Sequence, residues 1–314
     1  MIYHYCSLDT FAEVIKNKTI RLSDLDKTND YMEKRWGMDL LQEALKKELV
    51  SNSISMNLLE DYWYSDDAHN HLEQLNNNIS YYLDHQTLIA CFSLEKDILS
   101  QWRAYGQDGE GMAIGFNYDY LKRLLKGHSK ISIDKVIYKK SKQENLIRNK
   151  LFLPAVNYMR DMFQRVAVRC SDDFNKFFVE EFDCFCEVLY TYTEQVFTFL
   201  KNPTFEEEKE VRIVYNTGIY EEISTKDLSE ILREEFKIGI NQELILQPMQ
   251  YQVKEDKLVA YSDLCFKNCL DAGIIKEIVI GPKSKVSDID IRQFLLTNGF
   301  DDNIEIKRSE ASYR

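Results

Sequence analysis

The sequence predicts an α+β fold: a central mixed, mainly antiparallel sheet of short strands with two helical insertions. Three observations carry this. Apolar or alternating runs of strand length are scattered from one end of the chain to the other, at 2–5, 87–93, 112–116 and 274–280. Two long stretches between them, about 33–85 and 143–200, keep the three- and four-residue spacing of helices instead. With 11 Gly and 4 Pro in 314 residues, little of the chain suits flexible linkers, so 1–314 reads as a single domain around one sheet.

The elements follow in order. Residues 2–5 open as a strand, and Asp9 is placed to cap a helix carrying Leu8, Phe11, Val14 and Ile15. Asn17-Lys18 ends it, residues 19–22 make a second strand, and 23–30 is a polar loop. Met38, Leu41, Leu45 and Leu49 repeat at helical spacing in the first insertion, and a second helix is expected over 72–83. Residues 87–93 are almost continuously apolar, the pattern of a buried strand. A short helix over 98–104 leads through the turn 105–111 into the strand 112–116, and another strand is expected over 131–138. After the second insertion, rich in Phe, Tyr and Met, comes a glutamate-led strand from residue 205. A helix over 224–236, strands over 257–261 and 274–280, an amphipathic helix over 288–297 and a strand over 304–306 complete the series. No internal repeat is present.

Composition narrows the function. Hydrophobic residues make up 44% and charged residues 29%, ordinary for a globular protein. A formal net charge of −12 repels a nucleic-acid backbone, so no bulk nucleic-acid binding is expected. The N-terminal residues lack a basic region and an apolar core, and no run reaches the about 18 apolar residues of a membrane span. A cytoplasmic location without membrane contact is the expectation. Seven cysteines in apolar contexts fit reduced, buried thiols. Cys184-x-Cys186 and Cys265-x3-Cys269 lack the spacing and the neighbouring His of a zinc ribbon or finger, and no metal is expected.

Glu206, Glu207, Glu208 and Glu210 crowd into five positions before Val211-Arg212-Ile213-Val214. Read as a strand, Lys209, Val211, Ile213 and Tyr215 share one face, and Glu208, Glu210, Arg212 and Val214 the other. Two carboxylates and a guanidinium, successive members about 7 Å apart, suit sugar hydroxyls, a developing positive charge or a metal. The same pattern suits a solvated strand face crossed by an ion pair. His4 stands between Tyr3 and Tyr5, as a structural hydrogen-bonding residue or one that offers a directional bond to a ligand. Ser93 ends its strand at the rim of the sheet, where it is a helix cap or a ligand contact. Trp102 and Tyr105 share a helix face, either as core or as a platform before the glycine-rich turn. Asn29, Asp30 and Glu33 fit a capping box or a functional loop.

Taken in order, these residues resemble a bacterial family described as domain of unknown function 2971. The resemblance rests on Tyr3-His4-Tyr5, Asn29-Asp30-Tyr31-Met32-Glu33, Cys91-Phe92-Ser93, Trp102 with Tyr105, and Gly111-Met112-Ala113-Ile114-Gly115-Phe116. Phe205 through Arg212 and Glu277-Ile278-Val279-Ile280-Gly281-Pro282 extend it, so that it spans nearly the whole chain. Tyr31 and Phe205 depart from the commoner proline and tryptophan. The family name carries no activity.

A second resemblance is to ADP-ribosyltransferase-type folds. These use a His or Arg on the first strand, a Ser or Tyr on a middle strand and a Glu, often in Glu-x-Glu, on a late one. His4, Ser93 and the pair Glu208/Glu210 occur in that order. The resemblance implies NAD as substrate, bound as a nucleotide-like small molecule, with the acceptor left open and a role in bacterial defence or as a toxin. Glu208, Glu210 and His4 are then the catalytic candidates: a glutamate holds a ribose hydroxyl and the oxocarbenium charge, and His4 bonds the adenosine-side ribose. Trp102 or Tyr105 stacks nicotinamide, and Arg103 or Arg212 neutralises pyrophosphate. Tyr5, Ser93, Asn29 and Asp30 complete the ligand-binding set.

Two alternatives remain at this stage. In a metal-dependent phosphodiesterase or nuclease, Asp30, Glu33, Glu208 and Glu210 bind magnesium or manganese, and Lys201 or Arg212 binds phosphate; the acidic balance opposes this reading. In a non-catalytic ligand- or partner-binding module, the same residues line a cleft.

Overall fold

Strands β1 (Ile2–Cys6), β2 (Thr19–Asp24), β3 (Thr87–Ser93), β4 (Met112–Phe116), β5 (Ile131–Lys135), β6 (Glu210–Asn216), β7 (Ile245–Leu246), β8 (Gln250–Lys254), β9 (Lys257–Cys265), β10 (Ile275–Ile280) and β11 (Glu305–Arg308) join one mixed sheet. The computed structural model describes residues 1–27, 87–126, 128, 130–166, 193–217, 244–254 and 256–313, with 36–37, 39–41, 43–44, 47 and 177. Seven α-helices lie among them: α1 (Leu8–Asn17), α2 (Leu99–Ala104), α3 (Tyr118–Leu124), α4 (Lys140–Ile147), α5 (Leu153–Val166), α6 (Thr193–Phe197) and α7 (Asp288–Thr297). The expected α+β class is the observed one. The first helical insertion and the 224–236 helix fall almost wholly outside the described residues.

The path β11-β10-β4-β1-β3-β2-β9-β7 is antiparallel except for β10 with β11. β6 pairs β3 along its whole length, from Thr87↔Asn216 to Ser93↔Glu210, and so takes one edge of β3. The other edge is shared. β2 pairs it at Leu88 and Ile89, and β1 only at Ser93. β1 and β2 therefore part along β3 beside Ala90, Cys91 and Phe92.

One sheet face carries the main core. Phe92, Ile114, Phe116, Val211 and Ile278 pack there with Phe11 and Ile15 of α1, Leu121 of α3 and Ile291 and Leu295 of α7. The other face carries a smaller cluster of Tyr3, Tyr5, Trp102, Ala113 and Val279. This division follows from strand alternation, since Tyr3 and Tyr5 point away from Ile2, His4 and Cys6.

Local chemistry refines several expected boundaries. Ser7, not Asp9, caps α1: its Oγ accepts from Thr10 N at 3.1 Å, and Lys18 closes the helix in the left-handed region. Asn117 caps α3, a helix the spacing did not single out. The hairpin arm β8 and the short β7 were also not anticipated, and β9 runs on to Cys265.

The chain packs as two compact units. Met1–Asn29, Gln86–Val136 and Phe205–Arg314 form the first, which holds the sheet; Asp30–His85 and Ile137–Thr204 form the second. In the second unit a wide π turn, Arg148–Phe152, joins α4 to α5. Pro154 follows it; lacking an N–H, it cannot bond the carbonyl of Lys150, which favours a widened turn. Buried Gln143 donates from Nε2 to the carbonyls of Ile137 (2.6 Å) and Lys201 (2.7 Å) and ties this unit's chain segments together.

Candidate functional site

The glutamate run divides at Lys209. Pro203–Glu208 is a 3-10 turn, and Lys209 takes a φ of 47°, a left-handed value that breaks strand alternation. β6 starts only at Glu210. Glu208 is therefore not on the strand face with Glu210 and Arg212, a correction to the alternation read from sequence. Its carbonyl accepts from Ser93 Oγ at 2.7 Å, and Glu95 N donates to the same Oγ at 3.2 Å. Ser93 is fully buried and welds the end of β3 to the turn before β6.

Glu210 and Arg212, two apart on β6, do share a face. Arg212 Nε donates to Glu210 Oε1 at 2.7 Å and its Nη2 to Oε2 at 2.9 Å, with the guanidinium only 1% exposed. A bidentate pair of this kind is among the stronger charge-assisted contacts. Removing either partner from a buried site costs far more than breaking a surface pair.

Register places Glu210 in a row across five strands: Glu277 (β10), Gly115 (β4), Tyr3 (β1), Ser93 (β3) and Glu210 (β6). At strand spacings of about 4.8 Å, Tyr3 and Glu210 lie roughly 10 Å apart. Tyr3 reaches over β4 and donates its hydroxyl to Glu277 Oε2 at 2.8 Å. Gly115 makes room: a Cβ there would stand 3.0 Å from Tyr3 Cε1 and 3.1 Å from the Glu277 carbonyl. Lys307 Nζ pairs with Glu277 Oε1 at 2.7 Å, and Lys96 Nζ stands 3.9 Å from the same oxygen. Burial alone pushes the Glu277 carboxyl up, but the Lys307 ammonium and the Tyr3 hydroxyl outweigh it and hold the group below the usual range. Tyr3 is raised by burial and by that carboxylate.

His4 lies on the opposite side of β1 from Tyr3. Its Nδ1 is 3.0 Å from the Cys91 carbonyl, at the place where β1 and β2 part along β3. A carbonyl only accepts, so Nδ1 carries the proton and Nε2 keeps its lone pair. The ring tilts against Phe92, with centroids 5.7 Å apart. Burial lowers its pKa, which favours the neutral imidazole.

The aromatic pair separates into two roles. Trp102 is buried, meets Tyr5 edge-on at 4.8 Å and donates Nε1 to Asp97 Oδ1 at 2.7 Å, so it belongs to the core and is not an open platform. Tyr5 is buried too; its hydroxyl donates to the Glu95 carbonyl at 2.9 Å and accepts from Ile98 N at 3.0 Å. Tyr105, 40% exposed, and Arg103 remain at the surface. In the turn after them, Gln107, Asp108 and Gly109 all take positive φ. Asp108 holds that turn by accepting from Lys283 Nζ and from the Tyr313 hydroxyl, each at 2.5 Å.

The fold therefore brings Tyr5, Ser93, Glu210 and Arg212 to one face of the sheet near the β1–β3–β6 junction, while His4 stands on the opposite face against Phe92. Asn29 and Asp30 lie outside the described residues, as does Glu33. Sequence reasoning missed Glu277 as a partner of Tyr3, and also Asp97. Asp97 accepts from Trp102, from Ser309 Oγ (2.5 Å) and from Glu310 N (2.7 Å). A glutamate interrupting the apolar Ile274–Ile280 run was the available signal for the first; for Asp97 nothing in the spacing pointed to it. Among the described residues, no three His, Cys, Asp or Glu side chains are grouped to hold a metal, and no helix is long and apolar enough to cross a membrane.

A single mixed sheet with a buried polar row on one face defines an α+β protein. Residues 101–213, about a third of the chain, match the family model described as protein of unknown function (DUF2971). The match takes in Trp102, Tyr105, the Gly111–Phe116 segment and the glutamate strand. It does not reach nearly the whole chain: the Tyr3-His4-Tyr5, Cys91-Phe92-Ser93 and Gly281-Pro282 motifs lie outside it. No curated protein and no solved structure matches the chain.

Proposed function

We propose that the first unit cleaves the nicotinamide–ribose bond of NAD as an ADP-ribosyltransferase or NAD glycohydrolase, with its site at the β1–β3–β6 junction. One observation carries the reading: residues from three distant parts of the sequence, His4, Ser93 and Glu210, occupy adjoining strands in first, middle and late order. His4, on the opposite sheet face from Ser93 and Glu210, bonds the Cys91 carbonyl of β3 through Nδ1 and so serves this reading as a positioning residue and not as a ligand contact. A carboxylate on the far side of the junction suits the oxocarbenium charge that develops as nicotinamide leaves. Arg212 holds Glu210, so the carboxylate serves the ribose only when the guanidinium turns to another anion, and the dinucleotide pyrophosphate is one.

A second reading is favoured by burial. Ser93 and Glu210 spend their hydrogen bonds inside the fold. In a non-catalytic binding module these residues are architecture, and the exposed Arg103 and Tyr105 meet the ligand.

The test is nicotinamide release from NAD by wild type and Glu210→Gln, with NAD binding followed by calorimetry and folding checked by circular dichroism. Release by wild type that Glu210→Gln lowers by about 10²-fold or more supports cleavage, the scale expected for a lost electrostatic contact to the transition state. Binding without release leaves the binding module standing. Neither binding nor release by folded wild type rejects both.

A further inference from the structure

Residues 97–108 cover the smaller core face of the sheet, and little within the segment itself keeps them there. Its one helix, α2, has six residues, too few to persist alone. Ile98 at its start supplies no side-chain cap. Trp102 is its one fully buried side chain, packed with Tyr3, Tyr5, Ala113 and Val279, while Leu99, Arg103, Ala104 and Tyr105 are exposed. After the helix, Gln107 and Asp108 take φ values of 50° and 51°, a left-handed conformation that residues with a Cβ disfavour.

The chain on either side of the segment is tied to the sheet. Before it, Leu94 N donates to the Lys209 carbonyl at 2.9 Å. After it, the Gly109 and Gly111 carbonyls accept from Lys283 N (2.8 Å) and Gly281 N (3.0 Å), which extends the β4–β10 ladder beyond Met112↔Ile280. Residues 309–313, which continue from β11, grip what lies between, and they grip it twice. Ser309 Oγ and Glu310 N donate to the two oxygens of Asp97, the carboxylate that also takes Trp102 Nε1. Further on, the Tyr313 hydroxyl donates to Asp108 Oδ1, and Lys283 Nζ, 4.7 Å from the centre of the Tyr313 ring, donates to Oδ2. One gripped aspartate stands just before α2 and the other just after it.

We propose that residues 309–313 are a clasp that holds 97–108 as a flap closed over Tyr3 and Tyr5, and that the flap opens as a unit when the clasp lets go. Its tied ends at Leu94 and Gly109 are the pivots. The open flap uncovers Tyr3, Tyr5, Ala113 and Val279, on the sheet face that also carries Ser93, Glu210 and Arg212. The clasp therefore sets how often that face is open to a ligand, as a bias on a two-state element. Both grips belong to one short strap, so loosening either one loosens the far end of the flap as well. The clasp stands on these contacts whatever ligand the face takes.

Hydrogen exchange of the full chain, read at single amides, tests this. The amides of Trp102 and Tyr105 report on the helix, bonded to the carbonyls of Ile98 and Gln101, and the Gly109 amide reports on the turn, bonded to that of Gly106. Tyr313→Phe removes the hydroxyl at Asp108, and Ser309→Ala the one at Asp97. Each speeds exchange at all three amides about tenfold or more, because each deletes a bond to a charged group that only the closed flap makes. Amides in the β3–β6 ladder keep their wild-type rates. Arg292→Gln, which breaks the surface pair to Asp302 on α7, changes none of the three. Faster exchange confined to the amides beside the substituted contact overturns the proposal, since the grips are then independent. An equal rise in the β3–β6 ladder also overturns it, because the whole sheet then opens and not a flap. So do unchanged rates when both substitutions are combined.

Discussion

Glu210 and Glu277 sit in the same cross-strand row on the same face of the sheet, both buried, and the fold balances their charges by different means. Each carboxylate oxygen of Glu210 accepts a bond from Arg212, two residues further along its own strand. Glu277 collects Tyr3 from β1, Lys307 from β11 and the more distant Lys96, so its balance depends on three separate parts of the chain. A local pair forms as soon as its strand forms. A distributed set forms only once the sheet has closed around it, and each of its members carries a smaller part of the balance.

The largest test of that difference is Arg212→Met. It removes the group that meets both Glu210 oxygens, and a loss of about 3–5 kcal/mol in folding stability is expected, as for other buried pairs broken on one side. Denaturant unfolding measures it. Replacing both partners with apolar residues, Glu210→Leu with Arg212→Met, restores most of the loss, since a well-packed apolar pair often replaces a buried ion pair without penalty. A double variant no more stable than Arg212→Met would assign the cost to packing and not to charge.

Tyr3→Phe makes the matching change at Glu277. One hydrogen bond to a charged group is lost while Lys307 stays, so about 1.5–3 kcal/mol is expected. A loss as large as that of Arg212→Met would show that Glu277 depends on a single partner after all, and the contrast between the two sites would fail.

The same contrast explains what was legible in the sequence. Strands β3 and β4 are dense apolar runs, and the structure keeps both boundaries as read. The Glu210–Arg212 face was visible because strand alternation is a local rule. Glu208 was misplaced because the rule holds only where the strand does, and the left-handed Lys209 ends it one residue earlier. The Tyr3–Glu277 bond joins residues 274 apart, and no spacing rule connects them. β8 was missed although Tyr251 and Val253 alternate with Gln250, Gln252 and Lys254, because two apolar residues in five make too short a period to stand out. Ser7 displaced Asp9 as cap because both residue types cap well, and the backbone geometry at the start of the helix decides between them.

The smallest expected effects are two titrations, one at each side of β1. His4 is held neutral by burial, so its folded pKa lies below the unfolded value of about 6.5. Below that value the unfolded chain binds the extra proton, and stability present above about pH 6.5 drains away as pH falls toward the folded pKa. Glu277 is also depressed, by Lys307 and Tyr3 against its own burial, relative to about 4.3 in the unfolded chain. Its contribution is present above that value and is lost as pH falls through the lower folded pKa. The His4 window opens below about pH 6.5 and the Glu277 window only below about pH 4.3. In thermal melts across pH, His4→Gln flattens the slope between about pH 7 and 5, and Glu277→Gln flattens it only below about pH 4.5. Gln at position 4 still donates to the Cys91 carbonyl, so the variant separates titration from the hydrogen bond. If the slope above pH 5 persists in His4→Gln, another group titrates there, and the neutral imidazole required at the β1–β3 fork loses its support.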